Sequence, residues 1–147
     1  IPAPIRTQIS IAELFTDLKK LFPEEEFQFE VPSPELKLNV DRTQIEQILI
    51  NLLKNAREAC SRKSDKKIQV KARKLSAGNT TLTISDNGEG ILPDVLDKIF
   101  VPFFTTKTSG SGIGLSLCKQ IMTLHEGSIN VKSEVGKGSS FILTFPK

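Results

Sequence analysis

The sequence predicts an α+β fold, a two-layer sandwich of helices on a sheet. Three observations predict it. Strand-like segments fall into hairpin-spaced pairs and do not alternate singly with helices, which speaks against a doubly wound sheet. Long stretches with apolar residues at three- and four-residue steps separate those pairs. The 147 residues are one domain's worth of chain, enough to bury a core.

In chain order, Ile1-Pro2-Ala3-Pro4 reads as a linker ahead of a domain over residues 5–147, because proline resists both helix and sheet pairing. Residues 10–22 read as a helix with Ile11, Leu14, Phe15, Leu18, Leu21 and Phe22 at three- and four-residue steps, stopped by Pro23. Residues 27–31 and 36–40 alternate apolar and polar and predict two short strands. Asp41 followed by Gln44 is a helix-start signal, and Ile45, Ile48, Leu49, Leu52, Leu53, Ala56 and Cys60 then build one broad apolar face. Residues 68–75 and 80–85 predict paired strands turning at Ala77-Gly78-Asn79. Residues 93–100 predict a short helix with Pro93 in its first turn. Residues 101–111 have no clear period. Residues 115–124 read as a helix, and 128–133 with 139–145 as a hairpin around Gly136-Lys137-Gly138.

A net charge of +3, with acids interleaved among the bases, gives no nucleic-acid footprint. Cys60 and Cys118 are too few for a disulfide framework and sit among apolar neighbours, so they read as buried free thiols in a reducing compartment. No apolar run is long enough for a membrane span, and no signal-peptide pattern occurs. The first residue is Ile1 and not Met, so the chain reads as a piece of a longer protein.

Three clusters carry chemistry. Asn51 and Asn55 lie one turn apart, about 40° around a helix, at the rim of its apolar face. An asparagine there is commonly a structural hydrogen-bonder; as a pair, the two can turn amide oxygens toward a hydrated magnesium ion. Asp86-Asn87-Gly88-Glu89-Gly90-Ile91 follows a strand and opens a helix. Its first residue can accept a hydrogen bond from the exocyclic amine of adenine, where guanine would present a carbonyl. Gly88 and Gly90 remove side chains where a base must approach backbone. Finally, Phe100, Phe103 and Phe104 read as a hydrophobic anchor ahead of Thr105-Thr106-Lys107, whose cation and hydroxyls can meet phosphate. Gly110-Ser111-Gly112-Ile113-Gly114-Leu115 gives a loop able to close over a triphosphate at a helix N-terminus. It has neither Walker nor Rossmann spacing.

Taken together these residues resemble the catalytic, ATP-binding domain of sensor histidine kinases, in the Bergerat-fold group that also holds gyrase B, Hsp90 and MutL. The stretch from Asn51 to Ala56 resembles the N box, Asp86 to Gly90 the G1 box, Phe100 to Phe104 the F box, and Gly110 to Leu115 the G2 box. The resemblance implies a mixed, mostly antiparallel sheet covered by helices on one face. It also implies Mg2+ at Asn55, the adenine amine at Asp86, and an ATP lid over residues 105–115. Glu58 stands where many members have a base, and Asn55-Ala56-Arg57-Glu58-Ala59 with Phe104-Thr105-Thr106-Lys107 is similar to the nitrogen-regulatory subgroup. Lys107 is therefore expected to be the main phosphate cation, and Arg57 a weaker one.

Relatives that hydrolyse ATP resemble one another in having a glutamate at the place of Asn51. A carboxamide cannot act as a general base near neutral pH, so Asn51 argues against water as the nucleophile. Asn51, Asn55 and Lys107 are then the catalytic set for transfer of the γ-phosphoryl to a histidine. His125, the one histidine, stands where the family has a structural residue. The acceptor is expected on an upstream dimerisation and histidine-phosphotransfer domain, with a response regulator receiver domain as an indirect partner. The parent would be a homodimer, this fragment a monomer, and the compartment cytoplasmic whether or not the parent is anchored in a membrane. Alternatives are a Bergerat-fold ATPase, which enzyme-like phosphate release would reveal, and a non-catalytic ATP-sensing module, marked by failure to label the native histidine domain.

Overall fold

The computed structural model describes residues 1–105 and 114–147. The elements are β1 (Thr7–Ser10), α1 (Ile11–Leu21), β2 (Phe27–Glu30), β3 (Lys37–Val40), α2 (Arg42–Ala59), β4 (Ile68–Lys74), β5 (Thr80–Asp86), α3 (Pro93–Leu96), α4 (Gly114–Leu124), β6 (Ser128–Glu134) and β7 (Gly138–Phe145). Five strands form one sheet in the order β2-β4-β5-β7-β6, in which only the β2–β4 pair is parallel, and β1 and β3 form a separate antiparallel pair. This is the mixed, mostly antiparallel α+β sandwich expected.

Local chemistry sets the helix starts. Ser10 accepts the Glu13 N–H at 3.1 Å to cap α1, and Asp41 accepts the Gln44 N–H at 3.2 Å to cap α2. The stripe Ile11, Leu14, Phe15 and Leu18 of α1 and the stripe Ile45, Ile48, Leu49, Leu52 and Leu53 of α2 are buried against the sheet. The sheet's side of the core comes from period-two alternation: Ile68, Val70 and Ala72 on β4, Leu82 and Ile84 on β5, Phe141, Leu143 and Phe145 on β7. On the opposite face the sheet is polar, with Ser85 and Ser140 sharing a 2.7 Å hydroxyl hydrogen bond.

Three expectations need revision, and the path of the first residues is added to them. A strand at Thr7–Ser10 pairs with β3, so β3 belongs to the small sheet while β2 joins the main one. The helix expected over residues 93–100 stops at Leu96 and continues as tight turns, Lys98 N–H to Val95 O and Val101 N–H to Lys98 O. Residues 1–6 adopt neither helix nor strand but are tied down. Gln44 donates to Pro2 O at 2.9 Å, and Ile5 N–H donates to Asp41 at 3.0 Å. That bond from Ile5 holds the Asp41 carboxyl below its ordinary range. Arg57 is dealt with below.

Both cysteines are buried free thiols, as expected. Burial pushes Cys118 up to about 12, and burial with the nearby Asp86 charge raises Cys60. Neither should react with a disulfide-exchange reagent at neutral pH until the protein unfolds, which a thiol titration with and without denaturant checks.

Candidate nucleotide site

Asp86 is the last residue of β5, in phase with Leu82 and Ile84, so its carboxylate faces the helical layer. Across the sheet it is flanked by Ile68 on β4 and Ser139 on β7. Burial raises its pKa above the ordinary carboxylate range, against the opposing pull of the Gly88 and Ser139 backbone N–H groups. The Gly88 N–H reaches Oδ1 at 2.9 Å. A carboxylate held at the mouth of a core, with its charge incompletely compensated, has capacity left for an outside donor.

The following residues are fixed by stitches to three other elements. Asn87 Oδ1 accepts the Lys67 N–H at 2.9 Å, and its Nδ2 donates to Asp65 O at 2.7 Å. Glu89 N–H donates to Ala59 O at the end of α2, and Gly136 N–H donates to Glu89 O. The glycines here serve close backbone packing. A Cβ at Gly88 would lie 2.4 Å from Ala59 O, and one at Gly90, where φ is +78°, would lie 2.3 Å from Glu134 O. That is a different reason from the approach of a base expected from the sequence.

Two serines escaped the sequence reading. Ser133 Oγ accepts the Ile91 N–H at 2.8 Å and lies 2.8 Å from Ser139 Oγ and 3.1 Å from Gly138 O. With one proton to give, it donates to Gly138 O and accepts from Ser139. The signal was the register: Ser139 stands directly opposite Asp86, and Ser133 opposite Ser139. Gly138 makes that register possible. Its φ is +126°, and a Cβ would sit 2.0 Å from Asp86 O. Gly138→Ala is expected to destabilise the domain by about 2 kcal/mol or more, read as a lowered thermal midpoint.

On the helical side, Asn51 and Asn55 are half-buried on α2, with Asn55 Nδ2 donating to Asn51 Oδ1 at 3.4 Å. This turns Asn55 Oδ1 away from Asn51. Gly114 opens α4 against the same asparagine, since a Cβ there would fall 2.3 Å from Asn51 Nδ2. The structure thus brings the α4 N-terminus to the α2 asparagines, leaving Leu115 half-buried against the core. Ile91 also packs on the core. No group of three His, Cys, Asp or Glu suited to a metal occurs among the described residues. One amide oxygen as the protein's ligand suits Mg2+ that keeps its waters and arrives on a triphosphate.

Arg57 is a correction. It projects from α2 some 160° around the helix from Asn55, and lies 4.9 Å over the Phe22 ring and 5.4 Å over the Phe27 ring, paired with Glu24 at 2.6 Å. It fastens the α1–β2 turn and does not reach the site. The aromatic anchor is also smaller than expected. Phe100 packs on the core with Lys119 Nζ 5.7 Å from its ring, and Phe104 is half-buried, whereas Phe103 is 74% exposed with φ +67°. Thr105 is exposed; Thr106, Lys107, Gly110, Ser111, Gly112 and Ile113 lie outside the described residues. His125 is buried, with Nδ1 bonded to Ile121 O at 2.9 Å and Nε2 accepting the Asp41 N–H at 3.1 Å, the structural role expected.

An acid at a strand end facing an asparagine-bearing helix, with a second helix starting beside it, is the arrangement in which the expected nucleotide-site residues come together in a mixed sandwich. The chain belongs to the histidine kinase-, DNA gyrase B- and HSP90-like ATPase family, matched over residues 40–147. Within that family it is similar to sensor histidine kinases. It is 39% identical over 110 residues to sensor histidine kinase ZraS of Salmonella typhimurium, covering 75% of this chain and 23% of that one. It is 42% identical over 109 residues to the signal transduction histidine-protein kinase AtoS of Escherichia coli K12, covering 74% of this chain and 18% of that protein. The chain thus spans about a fifth of these relatives' length. Among solved structures, the catalytic domain of histidine kinase ThkA superposes with a TM-score of 0.84 at 35% identity, covering 97% of this chain and 95% of that one.

Proposed function

We propose that the domain binds Mg-ATP between the sheet and α2 and passes its γ-phosphoryl group to a histidine on a separate helical dimerisation domain. The observation that carries this reading is Asp86, a half-buried carboxylate facing the helical layer with its pKa raised. The adenine amine donates to Asp86, and the glycine-stitched turn after it walls the base. The triphosphate runs toward Asn51, Asn55 and the α4 N-terminus, whose N–H groups favour negative charge. Bound Mg2+ would neutralise phosphate charge, with Asn55 Oδ1 as its protein ligand. By sequence, Lys107 supplies the phosphate cation, and Glu58 with Lys107 supports the nitrogen-regulatory subgroup.

Asn51 leaves the site without a general base for water, so attack falls to an acceptor already nucleophilic when neutral, and positioning does the rest. His125 has both ring nitrogens engaged and is not that acceptor. ThkA has been solved in complex with the response regulator protein TrrA. By analogy a receiver domain is the downstream partner here, in a homodimeric parent working in the cytoplasm. No helix among the described residues is long and apolar enough to cross a membrane. Residues 1–4 are the linker to the preceding domain.

The test mixes this domain with the helical domain that precedes it in the parent chain and γ-labelled ATP. Acid-labile, base-stable label on that partner is expected. Phosphate release at enzyme-like rates without a partner would favour an ATPase, and calorimetry showing no heat with Mg-ATP would end the reading.

A further inference from the structure

At the far end of the main sheet from Asp86 lies a second feature, built on β3. Ile11 N–H donates to Leu36 O, so in the antiparallel β1–β3 pair Leu36, Leu38 and Val40 turn their backbone groups toward β1. Lys37, Asn39 and Asp41 therefore turn theirs the other way. The third of these is satisfied, because Asp41 N–H donates to His125 Nε2 at 3.1 Å. The backbone groups of Lys37 and Asn39 have no strand beside them, since β3 pairs only with β1 among the described residues. This edge borders a cavity of about 420 Å³. Beyond β3 the cavity is walled by Lys74, Thr80, Phe145 and Lys147, with Arg6 also lining it and Glu35 its only acidic side chain among the described residues. Arg6 is already engaged by Glu126 at 3.8 Å, but Lys37, Lys74 and Lys147 form no ion pair with a described residue.

We propose that this edge is a docking site for an extended, acidic peptide segment of a partner protein, which adds a strand to the small sheet beside β3. An open strand edge holds donors and acceptors in the pattern an extended backbone matches, and addition of a strand is an established recognition mode. The charge selects the partner: unpaired lysines on both walls favour alternating carboxylates over neutral or basic side chains. The cavity holds only a few residues, so the intrinsic affinity is modest and the partner's own fold must present the segment. Thr80 and Asp86 are opposite ends of β5, roughly 20 Å apart at about 3.4 Å per residue. Occupancy of this site and of the nucleotide site are therefore sterically independent.

The probe is an alternating peptide, acetyl-Glu-Val-Asp-Val-Glu-amide, titrated into the isotope-labelled domain and followed by amide NMR. Saturable shifts at Lys37 and Asn39 are expected, with hydrogen exchange slowed at both and unchanged at Asp41, which is already bonded. The Lys37→Glu, Lys74→Glu double variant should weaken binding roughly tenfold or more while Mg-ATP affinity stays the same. The same peptide N-methylated at alternate residues should not bind. Absence of shifts at Lys37 and Asn39 at millimolar peptide overturns the proposal. Equal binding of the N-methylated peptide or of inorganic pyrophosphate would also overturn it, leaving a site for anions without strand pairing.

Discussion

Asp86→Asn is expected to weaken Mg-ADP binding by roughly tenfold to a hundredfold, the worth of a hydrogen bond to a charged group, while leaving the fold intact. The substitution preserves shape and still offers an oxygen to the Gly88 N–H, so what it removes is the charge that the adenine amine would meet. The pH dependence follows from the raised pKa of Asp86. The folded domain holds this proton to a higher pH than the unfolded chain does. Ionising Asp86 therefore costs stability as pH climbs from the ordinary aspartate range through the folded value, and the cost is relieved below that range. At neutral pH the Asn variant should melt no lower than wild type, and the difference between the two should shrink as pH falls. Binding has the opposite sense. Acceptance of the amine needs the carboxylate, so wild-type affinity should fall as acidification passes the raised pKa, whereas the variant's weak affinity should lack that step. Calorimetric titrations at several pH values check both. Unchanged affinity in the variant would remove the adenine assignment.

Asp86 was legible because it stands at the end of an alternating strand and before glycines, a place where a carboxylate needs a reason. Its surroundings were less so. Ser133 and Ser139 looked like ordinary polar strand residues, and only the β5–β7–β6 register puts them in line with Asp86. Helices α1 and α2 and both late hairpins were readable from local periodicity, caps and turns. What failed was non-local. β1 is four residues with one buried apolar side chain, and its partner lies about thirty positions on. The parallel β2–β4 pair likewise has no sequence signature at either strand. Arg57 failed for another reason. The subgroup resemblance offered it as a weaker phosphate cation, but its helical angle points to Phe22 and Phe27, where a guanidinium over two rings and beside Glu24 gains more than it would in water. Arg57→Ala should accordingly lower the melting temperature without changing nucleotide affinity.

Asn55→Ala should abolish magnesium-dependent phosphotransfer, by a hundredfold or more, on the order of 3 kcal/mol of transition-state stabilisation. The fold should survive. Asn55 is half-buried on α2, alanine favours helix more than asparagine does, and the bond to Asn51 at 3.4 Å is long. The discriminating comparison is between nucleotide with and without metal. In the proposed site Asp86 would grip the base without sensing the cation, so metal-free ADP should bind the variant as it binds wild type. The increment that Mg2+ adds to wild-type affinity should disappear. A purely structural asparagine would give the reverse pattern, with both affinities falling together and the melting temperature falling with them. Retained phosphotransfer to the histidine domain in the variant would move the metal ligand elsewhere and leave the α2 asparagines as a packing pair against Gly114.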